Sequence, residues 1–371
     1  MDFYHLFNVP LSTVKTTATT SPSRQPKGVK TILFYTSFFG QLPWPHTIGR
    51  EKNLTDFRNR PCKIAACNFS ISKDDISRSS VVVFHGYFTP SPKEMKMLVL
   101  KKPRRQMWAW FNEESPASTS YSLIVLKNMF ELTITHRHES DIHTLYGDYF
   151  SLNHKSKVEA QKLYSNRNFT EGKDRLVLWL ASNCRTAASL RLNIVKEIAK
   201  YIQVDVYGGC QRYFKQIGRC LRRTRDCQRL NERYKFYLSI ENSNCKGYLT
   251  EKYWENALDR NVVPIVIAGS YNKDVLIPGS YIDILDFPSV EALAKYLHYL
   301  DKNETAYNSY FEWKTKYGYT RETNWICDLC EYLHTNKTKD TTWDLDRFWG
   351  EKENCHADDY RINIWINRTR P

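Results

Sequence analysis

The stretch that most constrains the fold of this chain is 235–269, which reads KFYLSIENSNCKGYLTEKYWENALDRNVVPIVIAG. Its opening residues are aromatic and apolar, as in a buried strand. The polar loop 241–249 follows, and Thr250 is then a suitable N-cap for a helix. The apolar run 261–269 ends in glycine, which is typical of a parallel strand covered on both faces. The stretch therefore predicts a strand–loop–helix–strand unit of a parallel sheet.

The predicted loop and helix form a plausible anion site. In parallel α/β sheets, ligands bind at the carboxyl ends of strands, beside helix N-termini that favour negative charge. Lys252 falls in the first turn of the predicted helix, where its ammonium group would meet a phosphate. We therefore expect this unit to bind a nucleotide-sugar.

The remaining chain shows the same alternation of strands and helices on both sides of a polar connection at 154–172. The first part carries apolar strand patterns at 29–39, 79–85, 106–111 and 132–135. The second part carries strand patterns at 176–181, 204–207, 235–240, 262–268 and 281–285, and helical patterns at 189–202, 250–260 and 290–300. This rhythm predicts two mostly parallel α/β domains with right-handed crossovers. With 371 residues, the chain is long enough for both.

Several motifs occur in an order that resembles the α1,3-fucosyltransferases, glycosyltransferase family 10. Asn242, Tyr248, Glu251 and Lys252 have the spacing N-x5-Y-x2-E-K of that family's donor-binding block. The other similar segments are Trp108–Pro116 (WAWFNEESP), Thr133–Gly147 (TITHRHESDIHTLYG), Leu176–Arg191 with Val204–Gly208, and Tyr281–Lys314. The resemblance extends over about residues 29 to 355, and an ordered set of motifs is far more specific than one short match.

The resemblance implies an inverting transfer of L-fucose from GDP-fucose to a GlcNAc-containing glycan of glycoproteins or glycolipids. It also implies a GT-B fold, an α/β architecture in which two Rossmann-like domains face a cleft. We expect a leader or stem at 1–28 without a clear anchor, an acceptor-binding domain at 29–165, a GDP-fucose-binding domain at 166–346 and a tail at 347–371. Golgi lumenal localisation and Golgi membrane association follow from the family, although the chain shows no apolar stretch long enough to anchor it.

The resemblance assigns roles to individual residues. Glu114, at the ESP position, is the expected catalytic base, and its neighbour Glu113 is the competing carboxylate. Positive charge for the departing diphosphate is expected from Lys252 and Arg191, and Arg185 is an alternative to Arg191. The other expected donor-binding residues are Asn242, Tyr248 and Glu251. No cofactor or bound metal is expected, and stimulation by a divalent cation stays open.

Cysteines and glycosylation sequons favour an oxidising, secretory compartment. Sequons occur at Asn53, Asn68, Asn168, Asn303, Asn336 and Asn367. By family analogy, Cys62 and Cys67 would pair with Cys327 and Cys330, and Cys184 with Cys245. A zinc site built on Cys327 and Cys330 is the alternative, but a second closely spaced ligand pair is missing.

Two rival functions remain. One is a catalytically impaired, glycosyltransferase-like protein that binds a glycan or GDP, suggested by His136, His138 and Glu139 where the family has other residues. The other is a nucleic-acid-binding protein, suggested by the net charge of +14. No nucleic-acid-binding module is evident, so a solvated basic face is the simpler interpretation and no nucleic-acid partner is expected.

Overall fold

The computed structural model describes residues 28–47, 54–55, 61–119, 121–184, 190–214, 229–321, 324–335 and 339–367. Several features of the sequence interpretation lie outside these ranges: residues 1–27 of the leader at 1–28, residues 368–371 of the tail, Arg185, and the sequons at Asn53 and Asn336.

Six parallel strands form the first sheet, in the order β2-β1-β3-β4-β5-β6. They are β1 (Lys30–Phe34), β2 (Cys67–Ser70), β3 (Val81–His85), β4 (Met107–Asn112), β5 (Leu132–Thr135) and β6 (Ile142–His143). All residues of β3, β4 and β5 are buried. Both faces of the sheet are therefore covered, as their continuous apolar sequences predict.

The second sheet contains five parallel strands, in the order β12-β11-β10-β8-β9. They are β8 (Arg175–Leu180), β9 (Val204–Tyr207), β10 (Tyr234–Leu238), β11 (Val263–Val266) and β12 (Ile282–Asp283). A separate antiparallel pair joins β7 (Asp148–Ser151) to β13 (Tyr317–Thr320).

The α-helices of the described ranges connect and cover these sheets. They are α1 (Pro92–Val99), α2 (His154–Tyr164), α3 (Arg191–Ile198), α4 (Glu251–Trp254), α5 (Val290–Lys302), α6 (Glu304–Asn308), α7 (Trp325–Thr335), α8 (Leu345–Trp349), α9 (Glu351–Asn354) and α10 (Asp359–Asn367). Within those ranges, no helix has the length and apolar character needed to cross a bilayer.

The strand order places a crevice in each sheet. The chain reverses direction across the first sheet between β1 and β3, and across the second between β8 and β10. Connections on either side of such a reversal leave on opposite faces, so a ligand crevice opens at the carboxyl ends there. The loop that follows β10 and the start of α3 therefore border one crevice.

The C-terminal part of the chain packs on both sheets. Helix α7 lies on one face of the first sheet, where Trp325 and Leu329 join a core with Phe34. Helix α8 covers the opposite face of that sheet, and α10 returns to the core of the second sheet through Trp365. The sequence interpretation assigned residues 325–346 to the second domain, but α7 packs on the sheet of the first domain.

Two disulfides join α7 to the edge of the first sheet. They are Cys62–Cys327 and Cys67–Cys330, in agreement with the pairing implied by the family. The expected Cys184–Cys245 bridge is wrong. Cys184 bonds Cys210, because both follow neighbouring strands, and Cys245 bonds Cys355 from the C-terminal segment.

Two secondary-structure predictions also differ from the structure. The predicted helix 250–260 is split into α4 and a 3-10 helix at 258–260. The Asn256 N–H binds the Glu251 carbonyl, one residue farther back than in an α-helix, and this ends α4. The polar connection contains α2, whose N-cap Asn153 accepts a bond from the Ser156 N–H.

Candidate donor site

Residues from both sheets meet beside the loop 241–250, here called the donor loop. Glu114 lies just past the carboxyl end of β4, and its Oε2 accepts a hydrogen bond of 3.4 Å from the Tyr248 hydroxyl. The next residue, Ser115, donates to the Ser243 hydroxyl at 2.8 Å, and both side chains are buried. The structure thus brings together the expected base and an expected donor-binding residue, which are far apart in sequence.

A cation lies between carboxylates at the start of α4. Lys252 Nζ is 2.8 Å from Glu241 and 3.2 Å from Glu251, and it donates to the Thr250 hydroxyl at 2.7 Å. Burial lowers the pKa of Lys252, but the two carboxylates outweigh it and hold that pKa above its ordinary value. The ammonium group is therefore charged at neutral pH.

Glu241 is the residue of this cluster that the sequence interpretation missed. Its carboxylate accepts bonds from the Thr250 N–H at 2.9 Å and from the Thr250 hydroxyl at 2.8 Å. It therefore holds the N-terminus of α4 as well as Lys252. Its sequence signal is a carboxylate that comes soon after a buried strand and begins a polar loop.

Arg191 connects the ends of two neighbouring strands. It begins α3, is 3% exposed, and donates through its guanidinium to the carbonyls of Asn183 and Ile240. Those carbonyls follow β8 and β10, so the guanidinium lies at the crevice. Burial lowers the pKa of Arg191, while Glu241 raises it. Arg191 thus faces the same carboxylates as Lys252.

A small, partly open pocket adjoins this cluster. Glu241 and Tyr248 line it, together with the ends of β10 and β11. Glu114, Arg191 and Lys252 lie outside its lining, as does the half-buried Asn242. The cavity and the charged cluster therefore share the donor loop as a common wall.

Two adjacent carboxylates at the end of β4 have raised pKa values. Burial raises the pKa of Glu113 to about 7, although a bond of 2.7 Å from the Thr144 hydroxyl opposes this. Burial also raises the pKa of Glu114, against the hydrogen bond from Tyr248 and the charge of Lys252. Perturbed pKa values of this kind are frequent at catalytic sites.

His136, one of the residues that differ from the family pattern, packs under the donor loop. The His136 ring lies between the rings of Tyr248 and Trp349, with centroid distances of 5.2 and 4.8 Å. Burial, together with the charge of the neighbouring Arg137, lowers the pKa of His136 to about 3. The ring is therefore neutral at physiological pH and supports the loop from below.

A salt bridge and a disulfide hold the donor loop from outside. Lys246 Nζ is 2.6 Å from Glu139, which also binds Arg137 at 2.9 Å. The Cys245–Cys355 bridge lies beside Lys246, and the Lys246 N–H donates to the Asn354 carbonyl at 2.8 Å. The loop is thus fixed to the C-terminal segment and to the chain beyond β5.

The zinc alternative does not fit the described cysteines. Among the described residues, one group has metal-ligand chemistry: Cys67, Cys330 and His334. Its two sulfurs are joined in a disulfide, and Cys327 is bonded to Cys62. They are not the thiolates that zinc requires.

Four of the sequon asparagines lie in described ranges. Asn68, Asn168 and Asn367 are exposed. Asn303 caps α6 through its side-chain oxygen, and its amide nitrogen donates to the Tyr299 hydroxyl at 3.1 Å. Glycosylation at each remains a prediction.

The two doubly wound parallel sheets, with the charged donor loop between them, define the class: an α/β protein of two Rossmann-like domains. A family model described as "Glycosyltransferase family 10 (fucosyltransferase) C-term" matches residues 170–348, and one described as "Fucosyltransferase, N-terminal" matches residues 27–147. The chain belongs to glycosyltransferase family 10, the fucosyltransferases.

Individual relatives agree. Glycoprotein 3-alpha-L-fucosyltransferase A of Drosophila melanogaster is 32% identical over 342 residues, which are 90% of this chain and 63% of that protein. A 3-galactosyl-N-acetylglucosaminide 4-alpha-L-fucosyltransferase of Homo sapiens is 32% identical over 72% of this chain and 70% of its own length. The chain thus spans less than two thirds of the Drosophila relative.

A solved structure shows the same fold. The crystal structure of an alpha1,3-fucosyltransferase with GDP-fucose matches with a TM-score of 0.50 and 15% identity, over 87% of this chain and 94% of that chain. The GT-B fold expected from the sequence is therefore confirmed.

Proposed function

We propose that this protein is an inverting α1,3-fucosyltransferase that transfers L-fucose from GDP-fucose to a GlcNAc-containing glycan of glycoproteins or glycolipids in the Golgi. The observation that carries the proposal is the contact between Glu114 and Tyr248, which places a carboxylate of one domain against the donor loop of the other. Lys252 and Arg191 border the same loop.

The charged side chains around the donor loop suit a displacement at the anomeric carbon of fucose. Glu114 would take the proton of the acceptor hydroxyl, whose oxygen then attacks from the face opposite the diphosphate. The bond between the anomeric carbon and the diphosphate oxygen breaks, and its electron pair leaves with GDP. Lys252 and Arg191 would stabilise the negative charge of that leaving group. These residues provide positive charge by themselves, and a divalent cation would only add to it.

Donor binding would rearrange the ion pairs of Lys252. Two carboxylates, from Glu241 and Glu251, now surround this ammonium group. Glu241 is held by Thr250, whereas the side chain of Glu251 is 48% exposed and makes the longer contact with Lys252, so it would be the one to turn toward a hydroxyl of the sugar. Lys252 could then keep its bond to Glu241 while its other side meets a phosphate.

The surface of the first sheet suits a carbohydrate. Exposed aromatic rings follow the carboxyl ends of β1 and β3: Phe39, Tyr87 and Phe88. Their centroids lie within 5.2–6.0 Å of one another. Aromatic faces pack against the apolar faces of sugar rings, so this edge supports a glycan acceptor.

A transfer assay tests the proposal. Purified protein would be incubated with GDP-fucose and acceptors carrying LacNAc, LacdiNAc or a chitobiose core, and product linkage would be determined by NMR. Glu114→Gln should bind GDP like the wild type but transfer about 10²–10⁴-fold more slowly, because the base is lost. Lys252→Ala should lose about 10²–10³-fold in transfer through weaker leaving-group stabilisation.

Lys273→Ala is the matched control, since Lys273 follows β11 at the same edge and pairs with Asp286 rather than with the donor loop. It should transfer at the wild-type rate. Transfer by Glu114→Gln at a wild-type rate would disprove the base assignment. Wild-type protein that binds GDP but transfers to no acceptor would favour the impaired, glycan-binding or GDP-binding alternative, and failure to bind GDP would refute the donor site.

A further inference from the structure

A short C-terminal segment, 355–359, joins α9 to α10 and lies directly against the donor loop. Cys355 pairs with Cys245 of that loop through a disulfide and an antiparallel β-bridge. The next residue, His356, donates its N–H to the Asn244 carbonyl at 2.9 Å. Since Asn244 also lines the pocket beside the charged cluster, His356 is attached by its backbone to the wall of the candidate donor site.

Both ring nitrogens of His356 face carboxylates. Nδ1 is 2.9 Å from Asp359 Oδ2, and Nε2 is 2.9 Å from Glu351 Oε1. An ionised carboxylate only accepts hydrogen bonds, so both bonds require a hydrogen on each ring nitrogen. Only the imidazolium form carries two, and a neutral ring would turn a lone pair toward one of the carboxylates. The arrangement therefore suits the protonated ring.

Each of these carboxylates belongs to an element that holds the donor loop. Asp359 starts α10, and its other oxygen accepts a bond of 3.4 Å from the Asn244 side-chain amide. Glu351 starts α9, and the carbonyl of Asn354 at the end of α9 accepts the Lys246 N–H at 2.8 Å. A protonated ring thus ties α9 and α10 together on the donor loop, and loss of the proton releases one of them.

Other charged groups on the surrounding elements are engaged elsewhere or directed to solvent. Asp358 accepts bonds from Ser270 and Arg361, Lys246 pairs with Glu139, the Tyr271 hydroxyl accepts the Ala357 N–H, and Lys352 and Glu353 are exposed. Burial lowers the pKa of His356, but Glu351 and Asp359 outweigh it and raise that pKa above its ordinary value. The ring therefore gains its proton near neutral pH.

We propose that His356 is a positioning residue for the donor loop, and that protonation of its ring tightens this loop and favours donor binding at mildly acidic pH. The ligand named here rests on the function proposed above, and the Golgi lumen proposed there is mildly acidic. The tightened arrangement binds the proton more strongly than a released loop does. Its stabilisation is therefore complete below the ordinary histidine pKa of about 6.5 and is lost as the pH rises through the raised pKa.

Amide hydrogen exchange, measured without ligand, tests the positioning of the loop. At about pH 5.5, peptides that cover the donor loop should exchange about 2–5-fold faster in His356→Asn than in the wild type, as expected for a partly exposed ion pair. At about pH 8.5 the two proteins should exchange alike, because the wild-type ring is then neutral. Asparagine is the substitute because it accepts the positive φ of 71° at this position and does not titrate.

Calorimetric titration with GDP-fucose tests the effect on the donor. Both phosphates of GDP-fucose are esterified, so the ligand itself does not titrate near neutral pH, as GDP would. The dissociation constant should be about 2–5-fold higher in His356→Asn than in the wild type at about pH 5.5, and equal at about pH 8.5. Comparing the two proteins at one pH cancels the titration of Glu113 and Glu114.

Two further variants sharpen the test. Glu351→Gln should shift the pH dependence to lower pH, because one of the carboxylates that raise the pKa of His356 is removed. His298→Asn, at an exposed histidine of α5, is the matched control and should follow the wild type at both pH values.

A His356→Asn effect of the same size at both pH values, or no effect at either, would show a purely structural turn and overturn the proposal. The expected exchange pattern without GDP-fucose binding would support the positioning of the loop and refute the proposed donor instead. Thermal unfolding of each variant separates loosening of the loop from loss of folding. If His356→Asn does not fold, an unshifted pH dependence in Glu351→Gln would overturn the proposal.

Discussion

At the scale of single residues, the ionisation of the Glu113 carboxylate is linked to stability. Burial raises its pKa from 4.5 to about 7. Between pH 4.5 and about pH 7, Glu113 is therefore protonated to a greater extent in the folded protein than in the unfolded chain. The stability linked to this group is therefore complete below pH 4.5 and is lost as the pH rises through 7.

Glu113→Gln should remove this pH dependence while keeping the acceptor oxygen for the Thr144 hydroxyl. We expect the variant to equal the wild type near pH 4.5 and to exceed it in free energy of unfolding by about 1–3 kcal/mol at pH 8. Urea unfolding at several pH values measures the difference. Glu159→Gln, on the exposed face of α2, is the control and should follow the wild-type curve. An unchanged pH slope in Glu113→Gln would contradict the assignment.

At the scale of elements, the sequence predicted the strands and helices whose formation depends on local apolar runs. The strands 132–135 and 204–207 have the predicted bounds, because each is a short, fully apolar or alternating run. The break in the helix predicted at 250–260 depends on a backbone bond to Glu251, which no local pattern reveals. Long-range contacts were the least predictable part of the fold.

The same division applies to the candidate site. Tyr248, Glu251 and Lys252 could be selected from spacing within one loop and helix. The role of Glu241 depends on the path of the chain from β10 to Thr250, and the Cys245–Cys355 bridge depends on the return of the C-terminal segment over the donor loop. These are tertiary facts, and local sequence does not encode them.

The donor loop offers an element-scale prediction. Cys245→Ser/Cys355→Ser should leave the charged cluster intact but release the loop from the C-terminal segment. A looser loop must be ordered on binding, so the dissociation constant for GDP should rise about 5–30-fold. Isothermal titration calorimetry measures it. Cys62→Ser/Cys327→Ser, which removes a bridge remote from the loop, should bind GDP like the wild type, and equal weakening in both variants would contradict a local role.

At the scale of the whole molecule, two neighbouring bridges fasten helix α7 to the first sheet. Cys62–Cys327 and Cys67–Cys330 have sequence separations of 265 and 263 residues. While one bridge is intact, the other adds only a small closed loop, made of the segments 62–67 and 327–330. With both removed, the long loop between the sheet edge and α7 is open in the unfolded chain.

The two bridges should therefore contribute to stability in a strongly non-additive way. In the chain-entropy picture, each bridge closes an effective loop of about 10 residues while the other bridge is intact, worth about 3 kcal/mol, whereas a single bridge closing the long loop is worth about 5–6 kcal/mol. Cys62→Ser/Cys327→Ser and Cys67→Ser/Cys330→Ser should each lose about 3 kcal/mol. Removing all four cysteines should exceed the sum of these losses by about 3 kcal/mol. A double-mutant cycle on the free energy of unfolding measures this excess. An additive result would mean that the two bridges act independently and that α7 stays on the first sheet through the packing of Trp325 and Leu329 alone.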